Sequence, residues 1–187
     1  MERNPEPQIL DRRTALRMGG VAGVTVAAGA LSTRQAAAQT PAAGAGAMSV
    51  SRQSIALAAA QSLIEAAQAK AAEISVPMAV AIVDDGGLLK AFARMDGLDR
   101  AVSVDLVQMK AYTAASFRSP THMIAEGAKD DPVLAATLAA IPRFTLLGGG
   151  YPIKDSDAVV GGIGCGGGTP EQDMQVAEAA LSAVGGM

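Results

Sequence analysis

The sequence is poor in the residues that most often build metal centres and aromatic cores. Its 187 residues include one cysteine, one histidine, no tryptophan, three phenylalanines and two tyrosines. A single cysteine excludes an internal disulfide, and a single histidine excludes a zinc centre with two histidine ligands. Half of the residues are apolar, and the length suits one packed domain but hardly two. We therefore expect a core of small residues in which backbones approach closely.

The N-terminal residues 1–38 have the layout of an export signal. Paired arginines, Arg12 and Arg13, precede a short and weakly apolar run at residues 18–31, and an alanine-rich cleavage site follows. This order resembles a twin-arginine signal, which a receptor reads as an address. The run is too short to span a bilayer, so we expect no stable membrane insertion. We predict cleavage near Ala38/Gln39 and a periplasmic or secreted product.

The predicted mature chain is acidic. Cleavage at that site would remove five of the 15 basic residues and three of the 18 acidic residues, which changes the formal net charge from -3 to -5. Because no basic run remains, we expect no nucleic-acid partner. Residues 39–50 are small and weakly polar and predict a flexible linker, and residues 51–187 form the folded domain.

The residue pattern of the domain predicts an α+β fold. A helix ending near residue 74 precedes two short apolar runs, 78–83 and 88–95, which the turn Asp84-Asp85-Gly86-Gly87 joins into a β-hairpin. The other predicted elements are helices at about 99–118, 121–126 and 130–140, strands at 144–147 and 158–164, and a last helix at 169–184. Hairpins predominate and no parallel crossover is visible, so we expect an antiparallel sheet with flanking helices.

The run GGIGCGGGTPEQD (161–173) contains the pattern G-x-G-x-x-G at Gly162, Gly164 and Gly167. A dinucleotide-binding unit needs another parallel strand after the following helix, but the residues after Gly167 suffice for one helix only. The run also lacks the lysine of a P-loop, so we expect no nucleotide cofactor. The letters TPEQ near its end (169–172) predict a capping box. The glycines indicate either close packing or backbone N–H groups left open at a helix end.

Four runs of the sequence resemble the GlcG/HbpS family of haem-degrading-domain-like proteins, which is related to the C-terminal part of PduO-type proteins. They are PMAVAIVDDGGLLKAFARMDG (77–97), KAYTAASFRSPT (110–121), LLGGGYPI (146–153) and VVGGIGCGGGTPEQD (159–173). The resemblance implies a profilin-like sandwich with about five antiparallel strands and flanking helices, assembled as a dimer to an octamer. It also implies binding of haem or another small ligand. Few family members have an established reaction, so it leaves open whether the chain is an enzyme.

Lys110 and Thr113 share one face of the predicted helix and are candidate ligand-binding residues. Lys110 is either a catalytic base, a cation for a carboxylate or haem propionate, or a solvated side chain. Arg94, at the end of the second strand, is either an anchor for a carboxylate or part of a structural contact. Together they suggest an alternative function, an enzyme acting on a small carboxylate or hydroxy acid. A structural accessory subunit without a ligand is a third alternative.

His122 and Tyr151 are the candidate haem ligands, because imidazole and phenolate both bind haem iron. The alternative for His122 is an ordinary residue of a surface helix. Tyr151 follows Gly149 and Gly150, whose bare backbone would line a ligand pocket. Cys165 stands where the family usually has a serine. It is either a thiol whose pKa is lowered by the following helix N-terminus or a small buried apolar residue.

Overall fold

The computed structural model describes residues 48–186, so the expected export signal and residues 39–47 of the linker lie outside the described residues. The described chain forms five helices and four strands: α1 (Leu57–Glu73), β1 (Ala79–Asp84), β2 (Leu89–Arg94), α2 (Val102–Phe117), α3 (Thr121–Ala128), α4 (Pro132–Ala139), β3 (Gly150–Asp155), β4 (Ala158–Gly166) and α5 (Pro170–Val184). None of these five helices has the length and apolar character needed to cross a bilayer.

The four strands form one antiparallel sheet in the order β2-β1-β4-β3. The predicted hairpin is confirmed, because β1 pairs with β2 across the expected turn. Asp84 stabilises this turn, since its Oδ1 accepts hydrogen bonds from the backbone N–H groups of Gly86 and Leu88, both at 2.9 Å. β2 and β3 are the edge strands, so the centre of the sheet consists of β1 and β4.

Both faces of the central strands are buried, which explains why β1 is a continuous apolar run. Val80 and Ile82 point towards the core shared with α1 and α5, whereas Ala79, Ala81 and Val83 point towards α2. The small side chains on the second face let α2 lie close to the sheet. The fold is therefore α+β with one antiparallel sheet between two helical layers, as the hairpin pattern predicts.

The glycines of β4 allow this close packing of α2. A Cβ atom on Gly162 would lie 2.3 Å from the carbonyl oxygen of Ala111, and one on Gly164 would lie 2.1 Å from that of Val107. Any larger residue would displace the helix. Gly162 and Gly164 of the G-x-G-x-x-G pattern thus lie in an antiparallel strand that touches a helix backbone, whereas Gly167 follows the strand end. Close packing is the interpretation that applies to the first two glycines. The capping box that follows is confirmed, with Thr169 as the N-cap of α5.

The sheet has four strands in the described part of the chain, not about five, because residues 144–147 do not join it. The backbone N–H of Thr145 donates to Thr113 Oγ1 at 3.0 Å, and the carbonyl of Leu147 accepts from Thr121 Oγ1 at 2.8 Å. Helix side chains thus replace the partners that a strand would need. The edge strand is β3, where the sequence predicts a bend and a turn. The profilin-like topology stays a prediction.

Candidate functional site

Lys110 lies at the centre of a buried cluster between α2, β4 and α5. It is 3% exposed, and its Nζ donates to Asp173 Oδ2 at 2.6 Å and to the carbonyl oxygen of Cys165 at 2.9 Å. Asp173, in the first turns of α5, also accepts from the backbone N–H of Gly168 at 3.0 Å through Oδ1. Hydrogen bonds at both ends are what a buried ion pair needs to offset the loss of water. We call Lys110, Asp173, Cys165 and Gly168 the lysine centre.

Bare backbone encloses the lysine centre. A Cβ atom on Gly149 would lie 3.1 Å from Lys110 Nζ and 2.7 Å from Asp173 Cβ, and Gly149 has a φ of +103°, a conformation that favours glycine. A Cβ on Gly150 would lie 2.5 Å from the carbonyl oxygen of Lys110. The structure therefore brings three of the residues singled out in the sequence, Lys110, Gly149 and Gly150, into one place.

A cleft of about 210 Å³ opens above the lysine centre. Its floor includes the buried side chains of Ser103, Lys110 and Asp173, and its rim includes the exposed residues Arg100 and Leu147. The floor is formed by helix side chains and glycine backbone, and the rim by the loops before α2 and β3. A small ligand in this cleft would meet charged and hydroxyl groups below, and at the entrance the guanidinium of Arg100 and the apolar side chain of Leu147.

Two other candidates of the sequence lie outside this cleft. Thr113 shares the buried face of α2 with Lys110, but its Oγ1 accepts from the backbone N–H of Thr145 and so holds the loop before β3. Arg94 donates to the carbonyl oxygen of Leu98 at 2.9 Å. In the sheet it aligns with Ala79 and Gly166, two strand spacings or about 10 Å from the latter. The structure does not bring Arg94 beside Lys110.

A second cluster lies at the β3 edge of the sheet, and we call its residues His122, Tyr151 and Glu178 the histidine edge. The ring centroids of His122 and Tyr151 are 5.6 Å apart, with 48° between the ring planes. The Nδ1 atom of His122 is buried and has no hydrogen-bond partner within residues 48–186. Tyr151 donates through its hydroxyl to Glu178 Oε1 at 2.5 Å. The structure thus brings both candidate haem ligands together.

The phenol of Tyr151 is held in its protonated form. Burial raises the pKa of Tyr151 far above its ordinary value of 10.0. The hydrogen bond to Glu178 and the negative charge of that carboxylate raise it further. Deprotonation would place two negative charges side by side in a poorly solvated position. At neutral pH Tyr151 is therefore a hydrogen-bond donor rather than a phenolate.

Cys165 contributes its backbone, not its thiol, to the lysine centre. Its side chain is fully buried, and burial together with the charge of Asp173 raises the thiol pKa well above 9.0, although Lys110 opposes this shift. The N-terminus of α5 thus does not produce a reactive thiolate here. Of the two interpretations of this residue, the small buried apolar side chain is correct.

Sequence reasoning missed Asp173, Arg100 and Ser103. Acidic residues are common in the first turn of any helix, because they interact favourably with its positive end, so Asp173 carried no distinguishing signal. Ser103 and Arg100 are separated from Asp173 by more than half of the domain's sequence, and the three residues line one cleft only after the sheet has formed. Among residues 48–186, no three His, Cys, Asp or Glu side chains are grouped in a way that would hold a metal ion.

A model of the family described as "Haem degrading protein HbpS-like" matches residues 55–182. A 15.0 kDa protein encoded in the dhaT-dhaS intergenic region of Citrobacter freundii is 40% identical over 128 residues, which cover 68% of this chain and 89% of the relative. Protein GlcG of Escherichia coli K12 is 34% identical over 105 residues, which cover 56% of this chain and 75% of GlcG.

Solved structures agree with these matches. HbpS superposes with a TM-score of 0.68 at 31% identity, over 76% of this chain and 98% of HbpS. The PduOC protein, solved as a complex with haem, superposes with a TM-score of 0.65 at 30% identity, over 70% of this chain and 94% of PduOC. Sequence and structure thus agree over nearly the whole described domain, and the chain belongs to the GlcG/HbpS family.

Proposed function

We propose that this protein binds haem at the histidine edge, with His122 as the axial ligand. The observation that carries the proposal is the unpartnered Nδ1 of His122, since a buried polar atom without a partner costs about 1–3 kcal/mol. Such a group is expected where a ligand supplies the missing interaction. The haem complex of the similar PduOC protein supports the choice of ligand.

The contacts of Tyr151 favour His122 over Tyr151 as the ligand. Iron binds the phenolate form of tyrosine, but Tyr151 keeps its proton and donates it to Glu178. An imidazole binds iron through a ring nitrogen, and the Nδ1 of His122 makes no hydrogen bond within residues 48–186 that would compete. Tyr151 then acts as a neighbour whose ring packs against the imidazole and limits its orientations.

The surface near α3 is suited to a flat apolar ligand. Met123, next to His122 in the chain, is 59% exposed. Helix α4, which packs against α3, is almost entirely apolar, yet Val133 is 74% and Leu134 is 40% exposed. Exposed apolar side chains on neighbouring helices are suited to bind an apolar ligand. Haem would supply redox or oxygen chemistry when bound, and these residues would hold and orient it.

A haemin titration followed by visible absorbance tests the proposal. We expect a Soret band that saturates near one haemin per chain, and His122→Ala should weaken binding about tenfold or more. Tyr151→Phe should keep the band, because the phenol is not the ligand. Glu126→Gln, an exposed position on the same helix, serves as the control. A Soret band unaffected by His122→Ala would contradict the ligand assignment, and no band at tens of micromolar haemin would contradict haem binding.

We further propose that the protein is exported and acts outside the cytoplasm. The support is the order of the paired arginines, the weakly apolar run and the alanine-rich site in residues 1–38, which lie outside the described residues. Expression in a bacterium with a twin-arginine pathway should give a mature N-terminus near Gln39 in the exported fraction. Replacing both Arg12 and Arg13 by lysine should leave the uncleaved chain in the cytoplasm, and unchanged export would contradict the route.

Assembly as a dimer to an octamer, which the family resemblance implies, also stays a proposal. The exposed apolar side chains of α4 are consistent with it, because a subunit contact would cover whatever surface haem leaves open. Light scattering with and without haemin would give the mass of the particle. A monomer under both conditions would contradict the proposal.

A further inference from the structure

We infer that the cleft above the lysine centre is a second ligand site, which binds a small monoanionic carboxylate carrying another polar group. This site goes beyond the haem proposal and shares no residue with the histidine edge. Each of the two proposals can therefore fail without the other.

The floor of the cleft offers polar groups of the protein that can bind a ligand. Ser103 is 5% exposed and lines the cleft, so its hydroxyl is one of the polar groups of the floor. The ammonium group of Lys110 has three N–H donors, of which the bonds to Asp173 and Cys165 occupy two. The floor thus presents the hydroxyl of Ser103 and one N–H of Lys110 that these two bonds do not occupy. A ligand that accepts both would be oriented by groups that the fold already holds rigidly.

The charges around the cleft favour a monoanion. The charged residues that line it are Arg100, Lys110 and Asp173, with a formal sum of +1. The N-terminus of α5, where Pro170 also lines the cleft, adds partial positive charge. Since Asp173 already neutralises Lys110 at the floor, the uncompensated charge belongs to Arg100 at the rim.

Arg100 is placed to receive a carboxylate. Its Nη2 atom donates to the carbonyl oxygen of Gly167, which fixes the side chain across the entrance. A guanidinium has five N–H donors in a planar fork, so four remain for a ligand. A carboxylate is the group that such a fork binds best, often through two parallel hydrogen bonds. The anionic end of the ligand would therefore lie at the rim and its second polar group at the floor.

The dimensions of the cleft limit the ligand to a few heavy atoms. Its volume of about 210 Å³ is below the range of roughly 300–1,000 Å³ typical of pockets for drug-sized molecules. The floor is deep because Gly166 has no side chain, and a Cβ there would lie 3.7 Å from Lys110 Nζ. A short hydroxy or keto acid has the required charge, length and second polar group.

An NMR titration of the haem-free protein with lactate tests the inference, with lactamide as the neutral molecule of the same shape. We expect saturable shifts of the backbone amides of Ser103 and of Gly166 to Gly168 with lactate. Lactamide should bind at least about tenfold more weakly than lactate, because the contact of its amide with Arg100 lacks charge assistance. Equal binding of the two molecules, shifts confined to other regions, or no saturation up to tens of millimolar lactate would each overturn the inference.

Substitutions in the cleft have matched controls elsewhere in the chain. Arg100→Gln should weaken lactate binding about tenfold or more, and Ser103→Ala about two- to tenfold. Arg94→Gln and Ser116→Ala change the same residue types outside the cleft and should leave lactate binding unchanged. Equal affinity in wild type and Arg100→Gln would overturn the carboxylate assignment. A haemin titration of Arg100→Gln should match wild type, which separates this site from the histidine edge.

Discussion

The lysine centre and the histidine edge both place titratable side chains against the same sheet, but they differ in how completely those groups are paired. Lys110 and Asp173 are each at least 96% buried and bind each other as well as the backbone. At the histidine edge, a buried nitrogen of His122 has no partner within the described chain, and Glu178 is exposed. The first cluster can contribute to the stability of the fold, whereas the second leaves a polar atom unpaired at the place where we propose that haem binds.

The two clusters also differ in what holds them. The lysine centre is fixed by glycine backbone and by α2, which crosses the middle of the sheet. The histidine edge depends on α3, a helix of eight residues whose Thr121 binds the backbone of Leu147 and accepts from the N–H of Gly150 at 3.1 Å. Short and partly exposed elements open locally at lower free energy than core elements do. We therefore expect changes at α3 to affect ligand binding more than folding.

The largest expected effect follows from breaking the buried ion pair. Lys110→Met leaves Asp173 charged and buried, so the free energy of unfolding should fall by about 3–5 kcal/mol in a denaturant titration. The double variant Lys110→Met, Asp173→Leu should recover most of this loss because no charge remains unpaired. By contrast, His122→Ala should change stability by less than about 1 kcal/mol, because the lost packing of the ring offsets the removal of the unpartnered Nδ1.

A surface ion pair provides the control for this experiment. Lys70 contacts Glu73 at 2.7 Å, with Glu73 largely exposed, and Lys70→Met should change stability by less than about 1 kcal/mol. If Lys110→Met costs no more than Lys70→Met, the lysine centre does not stabilise the fold, and the contrast between the two clusters fails.

A second and smaller effect concerns the glycines that support each cluster. Gly164→Ala places a Cβ against the carbonyl oxygen of Val107 and should destabilise the protein by about 1–3 kcal/mol, because α2 must move. Gly127→Ala, in α3, has no atom within 4 Å of the new methyl group and should stabilise by up to about 1 kcal/mol. Thermal unfolding of both variants measures the difference, and equal effects would show that α2 does not depend on bare backbone.

The smallest effect, taken per pH unit, is a pH dependence at the alkaline end. The folded protein keeps the protons of Cys165 and Tyr151, whereas the unfolded chain loses them near their ordinary pKa values of 9.0 and 10.0. The unfolded state is thus favoured as pH rises above 9, and each group lowers stability by at most about 1.4 kcal/mol per pH unit. Below pH 8 neither group contributes to the slope.

Two substitutions assign this slope to the two clusters. Cys165→Ala should flatten the decrease in unfolding free energy from about pH 9 upwards, and Tyr151→Phe should flatten it only from about pH 10. Denaturant titrations at several pH values between 7 and 11 provide the measurement. A slope that neither substitution changes would show that other groups determine the alkaline transition.

Local patterns of the sequence predicted the local parts of this structure. The turn after β1 and the capping box of α5 depend on neighbouring residues, and both are confirmed. The segment 144–147 has the composition of a strand, but whether it joins the sheet depends on partners distant in the chain, and two threonine hydroxyls took that role. β-propensity describes how well a side chain fits the pleated, half-buried surface of a sheet rather than an intrinsic backbone preference. It therefore could not decide whether residues 144–147 join the sheet.

The site was harder to predict than the fold for a related reason. Lys110 was identified, but its partner Asp173 comes from a helix at the other end of the domain and resembles any acidic residue of a first turn. The sequence indicated Arg94 and not Arg100, since only the path of the loop before α2 determines which guanidinium reaches the cleft. Contacts between side chains from distant parts of the sequence cannot be predicted from the local spacing of residues.

The glycine walls of the lysine centre also predict how a chain with the same centre can vary. Because the carboxylate of Asp173 and the carbonyl oxygen of Cys165 fix the ammonium group, most surrounding apolar residues can change without moving it. The positions equivalent to Gly149 and Gly164 cannot change, and neither can the lysine without the aspartate. A lysine in mid-helix, a glycine before an edge strand, a glycine in the adjoining strand and an aspartate in the last helix therefore form a sparse signature by which this centre can be found in distant sequences.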